Sequence, residues 1–375
     1  MGQPIKNLYV HIPFCVRCCS YCDFNRVVYE PGLADVYLDA LGMEFAARAD
    51  GMAADTVYIG GGTPTALGQE QLETLCSQFD FLDLSGVREF TVEANPGTLN
   101  IDKLVLLRDS GVTRVSLGVQ TFNQRGLEIL GRIHDAKAAR YAVALVQEAG
   151  IPEFSLDLIY GWPGQALAEW EDDLRRAVGL GAAHLSCYSL TYLDNTPLAK
   201  KLAAGEIVSQ SEEEDLRFFN FTREWLAGAG LAAYEISNFA RPGHEAIHNV
   251  NYWQGGTFVG LGAGAHSYDG RDRFANCLPV REYVERMNQR GEARDVVDSI
   301  PPAARARECG AVWLRMRDGI ERGRFQEVTG FQLDELWAAE LPPLLADGWL
   351  EWAGGWLRLT PKAVPVADAV LEQLI

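Results

Sequence analysis

At 375 residues, with 48% apolar and 10% aromatic residues, the chain can bury a large core, and disorder, collagen and coiled coil are excluded. Its 51 acidic against 33 basic residues give a formal charge of -18, which repels a phosphate backbone or an anionic lipid surface, so no nucleic-acid partner is expected. The N-terminus, MGQPIKNLYVHIPFC, has no apolar stretch of signal-peptide length, and no run of 18 apolar residues occurs; a cytoplasmic location without direct membrane insertion is the expectation.

From residue 7 to about residue 235, short β-branched runs alternate with longer helical patterns, the mark of βα units around a parallel sheet. The predicted strands are Leu8-His11, Thr56-Ile59, Glu89-Glu93, Arg114-Leu117, Glu153-Leu158 and His184-Tyr188. Apolar residues at helical spacing fill Leu33-Ala49, Gln69-Phe79, Lys103-Asp109, Ala136-Ala149, Ala168-Leu180 and Glu212-Ala227 between and after them. Six such units suit an α/β fold built on a partial (β/α)6 TIM-like barrel, since a closed eightfold barrel typically needs about 250 residues. Polar or glycine-rich residues follow five of the strands (HIPFC, GGGTPT, EANPGT, GVQTF, DLIYGWPGQ), which predicts a site on the rim where the strands end.

A glycine-rich stretch, Gln254 to Gly264, comes next, and its Gly260-Leu261-Gly262-Ala263-Gly264 run, outside an opening βαβ unit, reads as a turn near that site. After Arg290 the pattern changes to two or three helices and then GWLEWAGGWLRLT, a hairpin turning at Gly354-Gly355. The predicted organisation is therefore a core domain over 1-290 and a small α+β, winged-helix-like domain over 291-375. With 14 acidic to 9 basic residues, a net of -5, that C-terminal segment is expected to pack or to cover the core rather than to bind DNA.

Eight cysteines are present, four of them (Cys15, Cys18, Cys19, Cys22) within eight residues, which points to metal rather than to a disulfide framework. Cys15, Cys19 and Cys22 form C-x3-C-x2-C, and three thiolates can hold three irons of a [4Fe-4S] cluster. Cys15 and Cys18, and Cys19 and Cys22, also spell C-x2-C pairs, so four thiols, or three with His11, are the zinc alternative; without chain between the pairs the tetrahedral geometry is poor.

The C-x3-C-x2-C spacing, with Tyr21 before the last cysteine, resembles the radical S-adenosylmethionine (SAM) superfamily. YVHIPFC (9-15), GGGTPT (60-65), VEANPGT (92-98), LGVQTF (117-122), LGRIH (130-134), DLIYGWPGQ (157-165) and YEISNFARPG (234-243) resemble its branch of oxygen-independent coproporphyrinogen oxidases and their relatives. The resemblance implies cluster ligation by Cys15, Cys19 and Cys22, and a SAM site drawn from Tyr9, Tyr21, Gly61, Gly62, Thr63, Glu93, Gln120, Arg132 and Asp157. Carboxylates at strand ends suit ribose hydroxyls or an ammonium, and a glycine turn lets backbone approach a ligand closely.

Within that branch three readings remain. The oxidases carry a fourth cysteine two residues after the last ligand, where this chain has Phe24, and a longer segment before the cluster than the 14 residues here. Haem chaperones of the branch carry H-N-x-x-Y-W, present as His248-Asn249-Val250-Asn251-Tyr252-Trp253, which implies haem binding with His248 as an axial ligand and transfer to haem-acceptor proteins. A methyltransferase using two SAM molecules shares the same N-terminal motifs. A reductant such as flavodoxin or ferredoxin, if SAM is cleaved, and a homodimer complete the expected partners.

Overall fold

The computed structural model describes residues 5-375; the first four, which open the expected 1-290 domain, lie outside the described residues. All six predicted strands form, each running one to three residues past its predicted end: β1 (Asn7-Ile12), β2 (Thr56-Gly61), β3 (Glu89-Ala94), β4 (Arg114-Gln120), β5 (Glu153-Tyr160) and β6 (His184-Ser189). They are parallel neighbours in chain order, with helices such as Pro31-Arg48, Ala136-Glu148 and Leu167-Gly179 between them.

Three further short strands, β7 (Ala232-Ala233), β8 (Asn238-Ala240) and β9 (Val259-Leu261), extend the sheet at its edges. The order is β9-β1-β2-β3-β4-β5-β6-β8-β7, with β9 parallel to β1 and β8 antiparallel to β6. The glycine-rich stretch expected to be only a turn thus supplies a strand. Its Gly260 backs directly onto the carbonyl of His266, where a Cβ would collide.

Alternation along the strands divides the residues by chemistry, because successive side chains point to opposite faces. Leu8, Val10, Val57, Ile59, Phe90, Val92, Val115, Leu117, Leu156 and Leu158 are buried in one core cluster with the surrounding helices. Their neighbours Tyr58, Thr91, Glu93, Arg114, Ser116, Ser155, Asp157, His184 and Ser186 line the interior of the barrel. A polar lumen inside an aliphatic shell is what allows an interior site.

Past the barrel, β10 (His266-Tyr268), β11 (Arg273-Asn276) and β12 (Arg294-Asp298) form a separate antiparallel sheet. The C-terminal part has its own apolar cluster, including Trp313, Phe325, Trp337 and Leu357, with helices Pro302-Trp313 and Arg322-Thr329. Its hairpin pairs Leu350-Ala353 with Trp356-Leu359 around Gly354-Gly355, and Ile320-Glu321 adds a third strand, giving helices with a β-wing. No helix among the described residues is long and apolar enough to cross a membrane.

Candidate functional site

The barrel lumen is a cavity of about 420 Å³ reaching from the strand starts to the cysteine loop. Cys15, Cys19 and Cys22 line it, together with Tyr21, Gly61, Gly62, Thr63, Glu93, Gln120, Arg132 and Asp157; Cys18 is not part of this lining. Tyr9 is the exception in the expected set and faces a second cavity.

The loop that carries the thiols is held at both ends. Phe14-Cys15 pairs with Val27-Val28, and the middle is tied down by Ser20, whose N-H donates to Leu130 O at 3.1 Å and whose hydroxyl donates to Ile129 O at 2.7 Å. Gly131, at φ 73°, ends the helix Gln124-Leu130, and Arg132 then turns back so that its Nη1 donates to Cys19 Sγ at 3.2 Å. Its Nη2 donates to Gly118 O at 2.6 Å and to Asn95 Oδ1. Asn95 in turn donates to Thr63 Oγ1 at 2.7 Å, and Thr63 Oγ1 stands 3.6 Å from Cys15 Sγ. The LGRIH motif therefore acts on the cluster loop through its first three residues.

Three thiols on one cavity wall, beside a guanidinium and a hydroxyl, are the donor set an iron-sulfur cluster requires, since the cation offsets thiolate charge. As they stand, no three His, Cys, Asp or Glu side chains among the described residues are drawn into a single metal shell. Burial pushes the Cys15 thiol up to about 11 and raises that of Cys22.

Besides Asp23 in the cysteine loop, two carboxyls on the strands face the lumen. Glu93 accepts from Tyr58 OH at 2.7 Å and from Gly61 N at 3.1 Å, yet burial, reinforced by Asp157, raises its pKa to about 7. Asp157 accepts from Ser116 Oγ at 3.0 Å and from Ser186 Oγ at 2.7 Å, and burial raises its pKa as well. Neither makes an ion pair among the described residues, and carboxyls perturbed by burial in a cleft mark a candidate site. Gly61, at φ 112°, has no room for a Cβ, which would stand 2.6 Å from His11 Nδ1. Gln120 sits at φ 68°, a left-handed conformation that is strained for any residue but glycine, at a bulge where β4 slips against β5. Its side chain lines the lumen.

His248 lies elsewhere. The helix Ile247-Trp253 plugs the strand-start end of the barrel, its Ile247 N-H donating to Glu89 Oε2 at 2.6 Å. The His248 ring is 0% exposed and stacks on Tyr58 at 5.2 Å. Nδ1 hydrogen-bonds Thr56 Oγ1 at 2.7 Å and Nε2 hydrogen-bonds the Tyr252 hydroxyl at 2.8 Å. Burial lowers its pKa to about 3, so the ring is neutral. Where the sequence suggests an axial ligand, both ring nitrogens are hydrogen-bonded to neighbours in this structure.

Tyr252 and Tyr9 instead line a second cavity of about 470 Å³, which shares Gly61, Glu93 and Phe24 with the lumen. His11, whose role the sequence leaves open, is hydrogen-bonded scaffold there, between Tyr9 OH at 2.9 Å and Asn25 O at 2.7 Å. His134 is buried with Nε2 on Val119 O at 3.1 Å. Sequence reading does not single out Asn95, Tyr58, Ser116 or Ser186; Asn95 lies inside VEANPGT, and the other three were detectable as polar positions in aliphatic strands.

Residues 9-177 match the radical SAM superfamily, and residues 300-366 match the HemN C-terminal domain. The chain is 39% identical to the heme chaperone HemW of Escherichia coli over 98% of each chain. It is 36% identical to that of Bacillus subtilis over 92% of each, and 37% identical to that of Mycobacterium tuberculosis over 100% of this chain and 95% of the relative. The solved structure of coproporphyrinogen III oxidase (HemN) from Escherichia coli superposes with a TM-score of 0.86 at 24% identity, covering 100% of this chain and 90% of that one, so the two share a fold.

Proposed function

Because the chain belongs to the radical SAM superfamily and, within it, to the HemW family, we propose that it is a haem chaperone, binding haem and handing it to haem-requiring proteins while it carries a [4Fe-4S] cluster and SAM. The observation that supports this most is similarity to proteins named heme chaperone along 98% of the chain at 39% identity, a span that includes the HNVNYW helix.

In this reading Cys15, Cys19 and Cys22 hold the cluster, which supplies one iron without a protein thiol for a small chelating ligand. Arg132 steadies the Cys19 sulfur, Gly61 and Gly62 admit the ligand's backbone-like end, and Glu93 and Asp157 accept from its donors. An ammonium brought to Glu93 favours the ionised carboxyl, against the burial that now keeps it near pH 7. Thr63, Gln120 and Tyr21 complete the wall, whereas Tyr9 belongs to the neighbouring cavity.

Anaerobic reconstitution followed by gel filtration with haemin tests the chaperone reading. The expected result is haem co-eluting with the protein in a fixed ratio and moving to an added haem-requiring apoprotein. A chain loaded with cluster and SAM that retains no haem sinks it.

A further inference from the structure

A third cavity, about 790 Å³ against 420 Å³ for the lumen, lies between the core and the C-terminal part and shares no lining residue with the lumen or with the second cavity. Its size is within the range of about 300 to 1,000 Å³ that small-molecule sites occupy. One wall is the end of the HNVNYW helix and the turn after it, Asn251 and Gln254 to Thr257. The other is a face of the helix Pro302-Trp313, where Ala306, Cys309 and Trp313 come at i, i+3 and i+7, joined by Val328 from the helix Arg322-Thr329. Cys309 Sγ packs so closely on Gly255 that a Cβ there would collide with it.

The rim of this cavity is basic. Lys6, Arg271, Arg305 and Arg324 stand against Asp55, Asp269 and Glu327, an excess of one cation in a chain whose formal charge is -18. Two of the three carboxylates are already engaged: Glu327 pairs with Arg324 at 3.1 Å, and Asp269 Oδ1 accepts from the backbone N-H groups of Arg271 and Asp272, each at 2.8 Å. Arg305, half-buried, donates to two neutral oxygens, Tyr268 OH at 2.8 Å and Gly270 O. Neither Arg305 nor Lys6 makes an ion pair among the described residues. A helix face that offers apolar surface beneath unpaired cations suits an amphiphilic acid, whose hydrocarbon covers the face and whose carboxylates meet the rim.

We infer that this cavity between the domains is the seat of the haem, its ring on the Ala306-Cys309-Trp313 face and its propionates on Arg305 and Lys6. The inference rests on the haem-chaperone reading and gives it a place. Asn251 carries the HNVNYW helix to the seat, while His248 anchors the same helix to the barrel through Thr56. The lumen stays free, so cluster, SAM and haem are bound together without competing. The two walls belong to parts with separate apolar cores, and parting them releases the ligand.

The test is anaerobic haemin titration of the cluster-loaded full chain, read by the Soret band and by mass spectrometry of thiols after brief treatment with methyl methanethiosulfonate. Haemin is expected to slow modification of Cys309, and iron-free protoporphyrin IX to do the same, since ring and carboxylates are what the seat recognises. Excess SAM should leave the haem bound. Arg305→Glu and Lys6→Glu should each weaken haemin binding about tenfold or more, the worth of one charge-assisted hydrogen bond, at unchanged iron and sulfide content, and Arg305→Lys should recover most of it. Cys309 modified equally fast with and without bound haem, haem displaced by SAM, or wild-type affinity in both charge variants overturns the seat and leaves the chaperone reading standing. A wild type that binds no haem brings down both.

Discussion

Tyr58 donates its hydroxyl to Glu93 Oε1 at 2.7 Å while its ring lies on His248, so one side chain joins the carboxyl of the lumen to the helix that plugs the barrel. Glu93, Tyr58, His248 and Tyr252 form a continuous line of contacts from one cavity to the other. A change at either end has a physical route to the opposite one.

The raised pKa of Glu93 makes a signed prediction. Below about pH 4.5 the carboxyl is protonated in both folded and unfolded chains; between there and about pH 7 only the unfolded chain ionises, so stability falls as pH rises through that window. Glu93→Gln should remove that fall, roughly 3 kcal/mol at about 1.4 kcal/mol per pKa unit. Urea unfolding of both proteins at pH 5 and pH 7.5 measures it. Equal pH dependence in the two would place the carboxyl in a wetter setting than its neighbours suggest.

His248 has the opposite sign. Its folded pKa of about 3 lies below the ordinary 6.5, so its contribution is complete above pH 6.5 and is lost as pH falls toward 3, when the unfolded chain takes up the proton alone. His248→Gln should flatten acid destabilisation in that window by roughly 5 kcal/mol at most. The comparison of unfolding midpoints at pH 7 and pH 4.5 decides it, and an unchanged slope counts against a neutral buried ring.

The cysteine loop distinguishes its four thiols. Cys19→Ser should abolish bound iron and sulfide after reconstitution, while Cys18→Ser should leave both at the wild-type level, because Cys18 does not line the lumen. Arg132→Met should keep the cluster but weaken SAM binding by about 10- to 100-fold, the usual cost of losing a group that orients a metal ligand. Elemental analysis and equilibrium dialysis with labelled SAM check the set.

Gln120 carries strain that glycine would not. Gln120→Gly should be neutral to stabilising by about 1 kcal/mol in thermal unfolding, since the left-handed backbone at φ 68° suits glycine, and should bind SAM less tightly. A destabilised variant with intact SAM affinity would show that the side chain serves packing instead.

Phe24 occupies the position where the oxidases have a fourth cysteine, and it lies at the shared edge of both cavities. Chromatography of coproporphyrinogen III incubated with cluster-loaded protein, SAM and reductant should show no protoporphyrinogen. Its appearance would mean that Phe24 is no barrier to oxidative decarboxylation.

The sequence by itself determined the six strands and their helices, the rim, the cysteine spacing and the family, because these depend on local periodicity and on side chains adjacent in the chain. Glu93 and Asp157 were legible as carboxylates at strand ends, and the lining of the lumen includes both. What only the tertiary structure decided is which face each motif residue presents and whom it meets. The HNVNYW run reads as the source of a haem ligand, and as a helix of seven residues it sets His248 against Thr56, 192 residues away in the chain, and against Tyr252 on its own helix. Gly260-Gly264 reads as a loop, yet its first residues extend the sheet beside β1 and carry His266 to a cavity. In both cases the deciding contacts are long-range: packing against Glu89, Thr56 and Tyr58 outweighs local preference, and hydrogen bonds already made leave a histidine no lone pair to offer.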